Sequence, residues 1–171
     1  LPRGDPAPDA GDMHVERVMQ NIQAEPIRKR KFRVALDSVN GAGARVGKLL
    51  LESLGCDVSP LNNQPDTGFD RNPEPTAENL RGFCERVVEL KVEVGFAQDP
   101  DADRLAIVDE TGRYIGEEYT LALAAKHVFK TNPGPAVANL STSRMIDELA
   151  KQAGGACAVH RSAVGEANVV E

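Results

Sequence analysis

Apolar positions along this chain recur with two alternating periods, and the alternation predicts a succession of helices and strands. Met13 to Ile22 places Val15, Val18, Met19 and Ile22 on one helical face, with Asp12 as the expected N-cap. Lys31 to Asp37 alternates charged and apolar residues and predicts a strand. Ala44 to Leu54 returns to helical spacing through Val46, Leu49, Leu50 and Leu54, and Gly55 supplies a stop. Asp57 to Asn62 predicts a second strand, which Pro60 confines to a sheet edge or a bulge. After a loop holding Pro65, Gly68, Pro73 and Pro75, Thr76 caps a helix through Leu80, Phe83, Cys84, Val87, Val88 and Leu90. Val92 to Ala97 and Leu105 to Asp109 predict the third and fourth strands, and Glu110-Thr111-Gly112 turns the chain into Arg113-Tyr114-Ile115.

The pattern then restarts. A helix is expected over Glu117 to Phe129, a break at Asn132-Pro133-Gly134-Pro135, a strand over Ala136 to Leu140, a helix over Ser143 to Ala153, and a strand over Ala156 to His160. Alternating strands and helices predict an α/β fold, a three-layer sandwich with a mixed, largely parallel sheet between helices. The second run has too few elements to close a core of its own, so it is expected to be the start of a second, similar α/β unit. The expected organisation is a flexible lead-in over 1–12, a domain over 13–116, and an incomplete domain over 117–171.

Composition narrows the class. The 171 residues are 41% hydrophobic and 27% charged, ordinary for a globular protein, and the net charge of −6 argues against nucleic acid as a partner. The one basic run, Arg28-Lys29-Arg30-Lys31, is expected to be a solvated linker before the first strand. Cys56, Cys84 and Cys157 are odd in number and form no Cys-x-x-Cys pair, which fits a reducing, cytoplasmic setting rather than disulfides or zinc. No run approaches the roughly 20 apolar residues of a membrane span, and no membrane partner is expected.

Candidate chemistry concentrates in Asp99-Pro100-Asp101-Ala102-Asp103-Arg104. Three carboxylates crowded into five residues raise one another's proton affinity unless a cation neutralises them. Oxygen-only donors favour Mg²⁺ or Ca²⁺ over zinc, and alternating acids in an extended segment would project to one side. Arg104 adds a fixed cation of the kind found where metal and phosphate meet. Three functions are compatible with the cluster alone. An EF-hand places Asp99, Asp101, Asp103 and Glu110 at loop positions 1, 3, 5 and 12, but Arg104 stands where that loop needs Gly and strands flank it. A haloacid-dehalogenase-type phosphatase would use Asp99 as nucleophile. A Mg²⁺ site for phosphoryl transfer uses all three acids. Elsewhere, Asn40-Gly41-Ala42-Gly43 is expected to be a tight strand-to-helix turn, because no acid follows at the spacing a dinucleotide site requires. Ser141-Thr142-Ser143 is expected to cap a helix, and His14, His127 and His160 lack partners at ligand spacing.

Taken together and in order, several segments resemble the α-D-phosphohexomutases, the phosphoglucomutase, phosphomannomutase and phosphoglucosamine mutase family. They are Val34 to Gly43, Leu54-Gly55-Cys56-Asp57-Val58, Asn72-Pro73-Glu74-Pro75-Thr76-Ala77-Glu78-Asn79-Leu80 and Asp99 to Arg104, followed by Leu140-Ser141-Thr142-Ser143 and Ala163-Val164-Gly165-Glu166. The resemblance covers the chain from about residue 13 and implies domain 2 and the start of domain 3 of a four-domain enzyme. It implies that Asp99, Asp101 and Asp103 hold Mg²⁺ and that Arg104 is catalytic, contacting the transferred phosphoryl group. The implied reaction interconverts hexose 1-phosphate and hexose 6-phosphate through a phosphoserine and a bisphosphorylated sugar. Pro100 and Ala102 replace the two glycines usual in the family's loop and are expected to stiffen it. No Ser-His-Asn-Pro-like segment is present, so these residues alone are expected to lack mutase activity. The choice of hexose and the oligomeric state are left open by these residues.

Overall fold

Strand β1 (Arg33–Asp37) is one of the two inner strands of the first sheet, and its four residues from Val34 to Asp37 are buried. It pairs in parallel with β2 (Asp57–Leu61) on one side and β3 (Val94–Gln98) on the other, and β3 pairs antiparallel with β4 (Leu105–Asp109). The order β2-β1-β3-β4 is the predicted mixed, largely parallel sheet, and it leaves β2 with its Pro60 at an edge. This computed structural model describes residues 9–170.

Small residues let helices sit close on both faces. Helix α3 (Gly43–Ser53) joins β1 to β2 and covers one face, where Leu36 and Gln98 lie against the backbone of Gly47. Helix α4 (Arg81–Glu89) joins β2 to β3 and covers the other. A Cβ on Gly95 would lie 2.5 Å from Val87 and 2.9 Å from the Phe83 ring, so α4 can rest on β3 only where there is no side chain. Leu80, Phe83, Val87 and Val92 form the core there with Ala35, Ala97, Ala106 and Val108. On the opposite side α1 (Ala10–Asn21) packs over α3, burying Val15.

The chain divides after Gly116 into two compact units. In the second, α5 (Glu117–Thr131) precedes a parallel pair of strands, β5 (Pro135–Asn139) and β6 (Ala158–Ser162), joined through α6 (Met145–Ala153) and followed by α7 (Ala167–Val170). Phe129, Ala138, Ile146 and Ala150 make its core. Arg161 on β6 donates to the carbonyls of Asn139 and Thr142 and pairs with Asp147, which ties the loop after β5 to α6.

Three local expectations change. Helix α1 begins at Ala10, inside the expected lead-in, because Asp9 rather than Asp12 accepts from the first free amides, at Gly11 and Asp12. Asp12 instead pairs with Arg45 at 2.8 Å. Residues 1–8 of that lead-in lie outside the described residues. The basic run is not a linker: Arg28, Lys29 and Arg30 end a short helix, α2 (Ala24–Arg30), where cations complement the helix dipole. Thr76 does accept from the Asn79 amide, but the turn it caps leads into α4 five residues later, at Arg81.

Candidate metal centre

In an open α/β sheet, sites form where consecutive crossovers run in opposite directions, at the carboxyl ends of the strands. Here that place lies between β1 and β3. The turn after β1 and the Asp99–Arg104 loop after β3 pack directly on one another: the Ala42 amide donates to the Pro100 carbonyl at 2.8 Å. A Cβ on Gly41 would fall 2.4 Å from that same oxygen, and one on Gly43 would fall 2.6 Å from the Cβ of Ala102. The two glycines are there so that the acidic loop can come in.

The loop is a closed turn rather than an extended segment. Its ends meet where the Asp99 amide donates to the Arg104 carbonyl at 3.4 Å, and the Ala102 amide donates back to Asp99 at 3.2 Å. Ala102 takes a left-handed φ of 62°. The three acids converge because the chain curls, not because alternate side chains share a side. One carboxylate oxygen each from Asp99, Asp101 and Asp103 lies within 4.8 Å of the others. Asp99 is buried; Asp101 and Asp103 are exposed.

Charge in the loop is unevenly held. Burial pushes the Asp99 carboxyl up, but hydrogen bonds from the Arg104 amide and Nε, both 3.1 Å, with the guanidinium charge, hold it below the usual carboxylate range. The charges of Asp101 and then Asp99 push Asp103 up. Arg104 also donates from Nη1 to Glu74 at 2.6 Å, and with Asp99 this raises its affinity for its proton further. One arginine is thus pinned between Asp99 and Glu74 while two acids stay open to solvent and repel each other. An all-oxygen, partly uncompensated donor set of this kind fits a hard divalent cation.

Sequence reasoning missed the layer behind the loop. Asp37 ends β1 fully buried, accepting from the Val39 amide at 2.8 Å, from Asn62 Nδ2 at 3.1 Å and from Arg71 Nε at 3.1 Å. Asn40, in a left-handed conformation, donates to the Gly68 carbonyl and Asp70 and accepts from the Gln64 amide. The signals were faint ones: a carboxylate at a strand's last residue, and Asn and Arg among the prolines of the long loop.

The remaining candidates play structural parts. Gly41 to Gly43 does form the strand-to-helix turn. Ser143 Oγ accepts from the Met145 amide at the start of α6, while Ser141 and Thr142 donate to Asn139. His14, His127 and His160 are exposed, and Cys56, Cys84 and Cys157 are free thiols, with burial raising the first two.

The fold and the loop define an α/β/α protein with an acidic turn at the switch point of a mixed sheet. Residues 12–112 match the family model for phosphoglucomutase/phosphomannomutase alpha/beta/alpha domain II, and residues 116–171 match that for domain III. The chain belongs to the phosphoglucomutase/phosphomannomutase family. It is 42% identical over 155 residues to a phosphoglucomutase/phosphomannomutase of Thermococcus kodakarensis, covering 90% of this chain and 34% of that one. A phosphopentomutase of the same organism is 40% identical over 126 residues, covering 72% of this chain and 28% of its own. A crystal structure assigned as a phosphomannomutase from Thermus thermophilus superposes with a TM-score of 0.80 at 26% identity, covering 92% of this chain and 37% of that one. The chain therefore spans about a third of the length of the first two of these relatives' proteins.

Proposed function

We propose that this chain supplies the metal-binding half of the phosphoryl-transfer centre of a phosphohexomutase, with residues 13–116 as its second domain and 117–171 as the first part of its third. The carrying observation is the convergence of Asp99, Asp101 and Asp103 beside an arginine already fixed by two carboxylates. Those three acids would hold Mg²⁺, which when bound supplies positive charge against a phosphoryl group in transfer. Arg104 is the catalytic residue: its guanidinium, oriented by Asp99 and Glu74, presents donors to phosphoryl oxygens without having to reorganise. Buried Asp99 fixes the inner side of the site, and exposed Asp101 and Asp103 face the solvent from which substrate would come.

The substrate of the whole protein is proposed to be a hexose phosphate, interconverted between its 1- and 6-phosphates through a phosphoserine and a bisphosphorylated sugar, in the cytoplasm. The phosphopentomutase likeness makes a pentose phosphate the competing result of a substrate screen. Helical EF-hand flanks are absent, since β3 and β4 bound the loop. A phosphatase nucleophile is disfavoured at Asp99, whose two oxygens are both engaged by Arg104.

Calorimetric titration with Mg²⁺ or Mn²⁺ tests the site. Asp101→Asn should weaken binding at least about tenfold, the scale on which perturbed metal sites lose affinity. Equal binding by both proteins overturns the assignment. No helix among the described residues is long and apolar enough to cross a membrane.

A further inference from the structure

We propose that Arg71 is a positioning residue that sets both Asp99 and Arg104, an inference that rests on the metal-site reading above. A guanidinium carries five N–H donors in a rigid fork. At Arg71 all five are used: Nε and Nη2 on Asp37 at 3.1 and 3.4 Å, Nη2 on the Gln98 carbonyl at 2.9 Å, and Nη1 on the Asn72 and Pro73 carbonyls at 2.9 and 3.1 Å. Its side chain is 11% exposed and that of Asp37 only 2%.

The acceptors belong to three different parts of the site. Asp37 ends β1. The Gln98 carbonyl lies in the peptide that leads into Asp99, and because a peptide is planar, fixing that oxygen fixes the direction in which Asp99 leaves the strand. The Asn72 and Pro73 carbonyls immediately precede Glu74, whose carboxylate receives Arg104 Nη1. One buried cation thus determines the position of a metal-ligand candidate through one peptide and of Arg104 through Glu74. An ion pair serving stability alone would need only Asp37. The three backbone acceptors mark a part whose output is loop geometry. Lysine, with its donors on a single nitrogen, cannot span all of them.

The test is Mn²⁺ titration of the full chain by calorimetry, with thermal unfolding measured alongside, for wild type, Arg71→Lys, Val87→Ala and Asp101→Asn. Val87 is a fully buried residue of α4 that packs on Gly95 of β3 and makes no hydrogen bond to the acidic loop through its side chain, and its truncation controls for lost stability. Arg71→Lys should bind about tenfold more weakly, as outer-layer substitutions at metal sites do. Val87→Ala should lose stability and keep wild-type affinity. In the wild-type chain, Mg²⁺ should shift the Arg71 Nε–H and Asp99 amide NMR resonances with one common dissociation constant, a readout that stands even if Arg71→Lys does not fold. Wild-type affinity in Arg71→Lys, or an Arg71 resonance that ignores Mg²⁺ while Asp99 moves, overturns the inference and leaves the metal site standing. Equal binding by wild type and Asp101→Asn, or no binding by wild type, overturns the metal site and this inference with it.

Discussion

Gly41 and Ala102 show how closely single residues govern the acidic turn. A methyl group at Gly41 would meet the Pro100 carbonyl at 2.4 Å, backbone against backbone, with no flexible side chain to give way. Gly41→Ala should therefore destabilise by about 1–3 kcal/mol in urea unfolding, the usual range for overpacking, and should weaken metal binding by lifting the loop. Ala102 sits at φ 62°, where a non-glycine residue is strained by about 1–2 kcal/mol. Ala102→Gly should relieve that strain, offset in part by a looser unfolded chain of about 0.4–1 kcal/mol, so unfolding should shift slightly upward or not at all. Asp103 gives a pH signature. Its proton affinity is raised by Asp101 and Asp99, so the stabilisation linked to it is present at low pH and lost as pH rises through its elevated value. Metal-free Asp103→Asn should melt higher than wild type at neutral pH, and the two should converge on acidification. The convergence of Asp99, Asp101 and Asp103 was legible in the sequence because the three acids crowd into five residues. Arg71 and Asp37 were not, because their partners lie 34 residues apart and meet only once β1 and β3 are neighbours.

Secondary structure was legible wherever one face of an element is apolar. The Leu80, Phe83, Val87 spacing gave α4, and the structure buries all three. Leu80→Ala should lose about 2–5 kcal/mol, the range for emptying a closed core site, without altering the affinity of the folded protein for Mn²⁺. Helix α2 carries no apolar period that a sequence pattern could show, because no residue in it is buried. It is held by ends rather than by a face: Arg28 donates to the Ser53 carbonyl, and Arg30 pairs with Glu93 while lying 5.0 Å from the Phe32 ring. Helix α1 starts before its apolar spacing does, since Asp9 accepts from the first amides and Arg45 engages Asp9 and Asp12 together.

The α/β alternation fixed the fold class across the whole chain, while the direction of β4 could not be inferred, since a short loop between apolar runs permits either a hairpin or a new start. Every residue that shapes the acidic turn, from Asp37 through Arg71 and Glu74 to Arg104, belongs to the unit that ends at Gly116. A chain cut after Gly116 should accordingly bind Mn²⁺ with unchanged affinity, and a marked loss in calorimetry would show that the second unit takes part. The hairpin has one more consequence, for how the protein acquires its shape. β3 and β4 are the only consecutive strands of the first sheet not separated by a helix, with Gln98 opposite Leu105. Such local pairings form within about 1–10 μs, long before distant parallel strands assemble. The turn that must close first is also the one where three negative charges meet. Divalent ions in a refolding mixture should then shield that repulsion as the hairpin closes, and the first sheet should assemble faster in their presence than in a chelator.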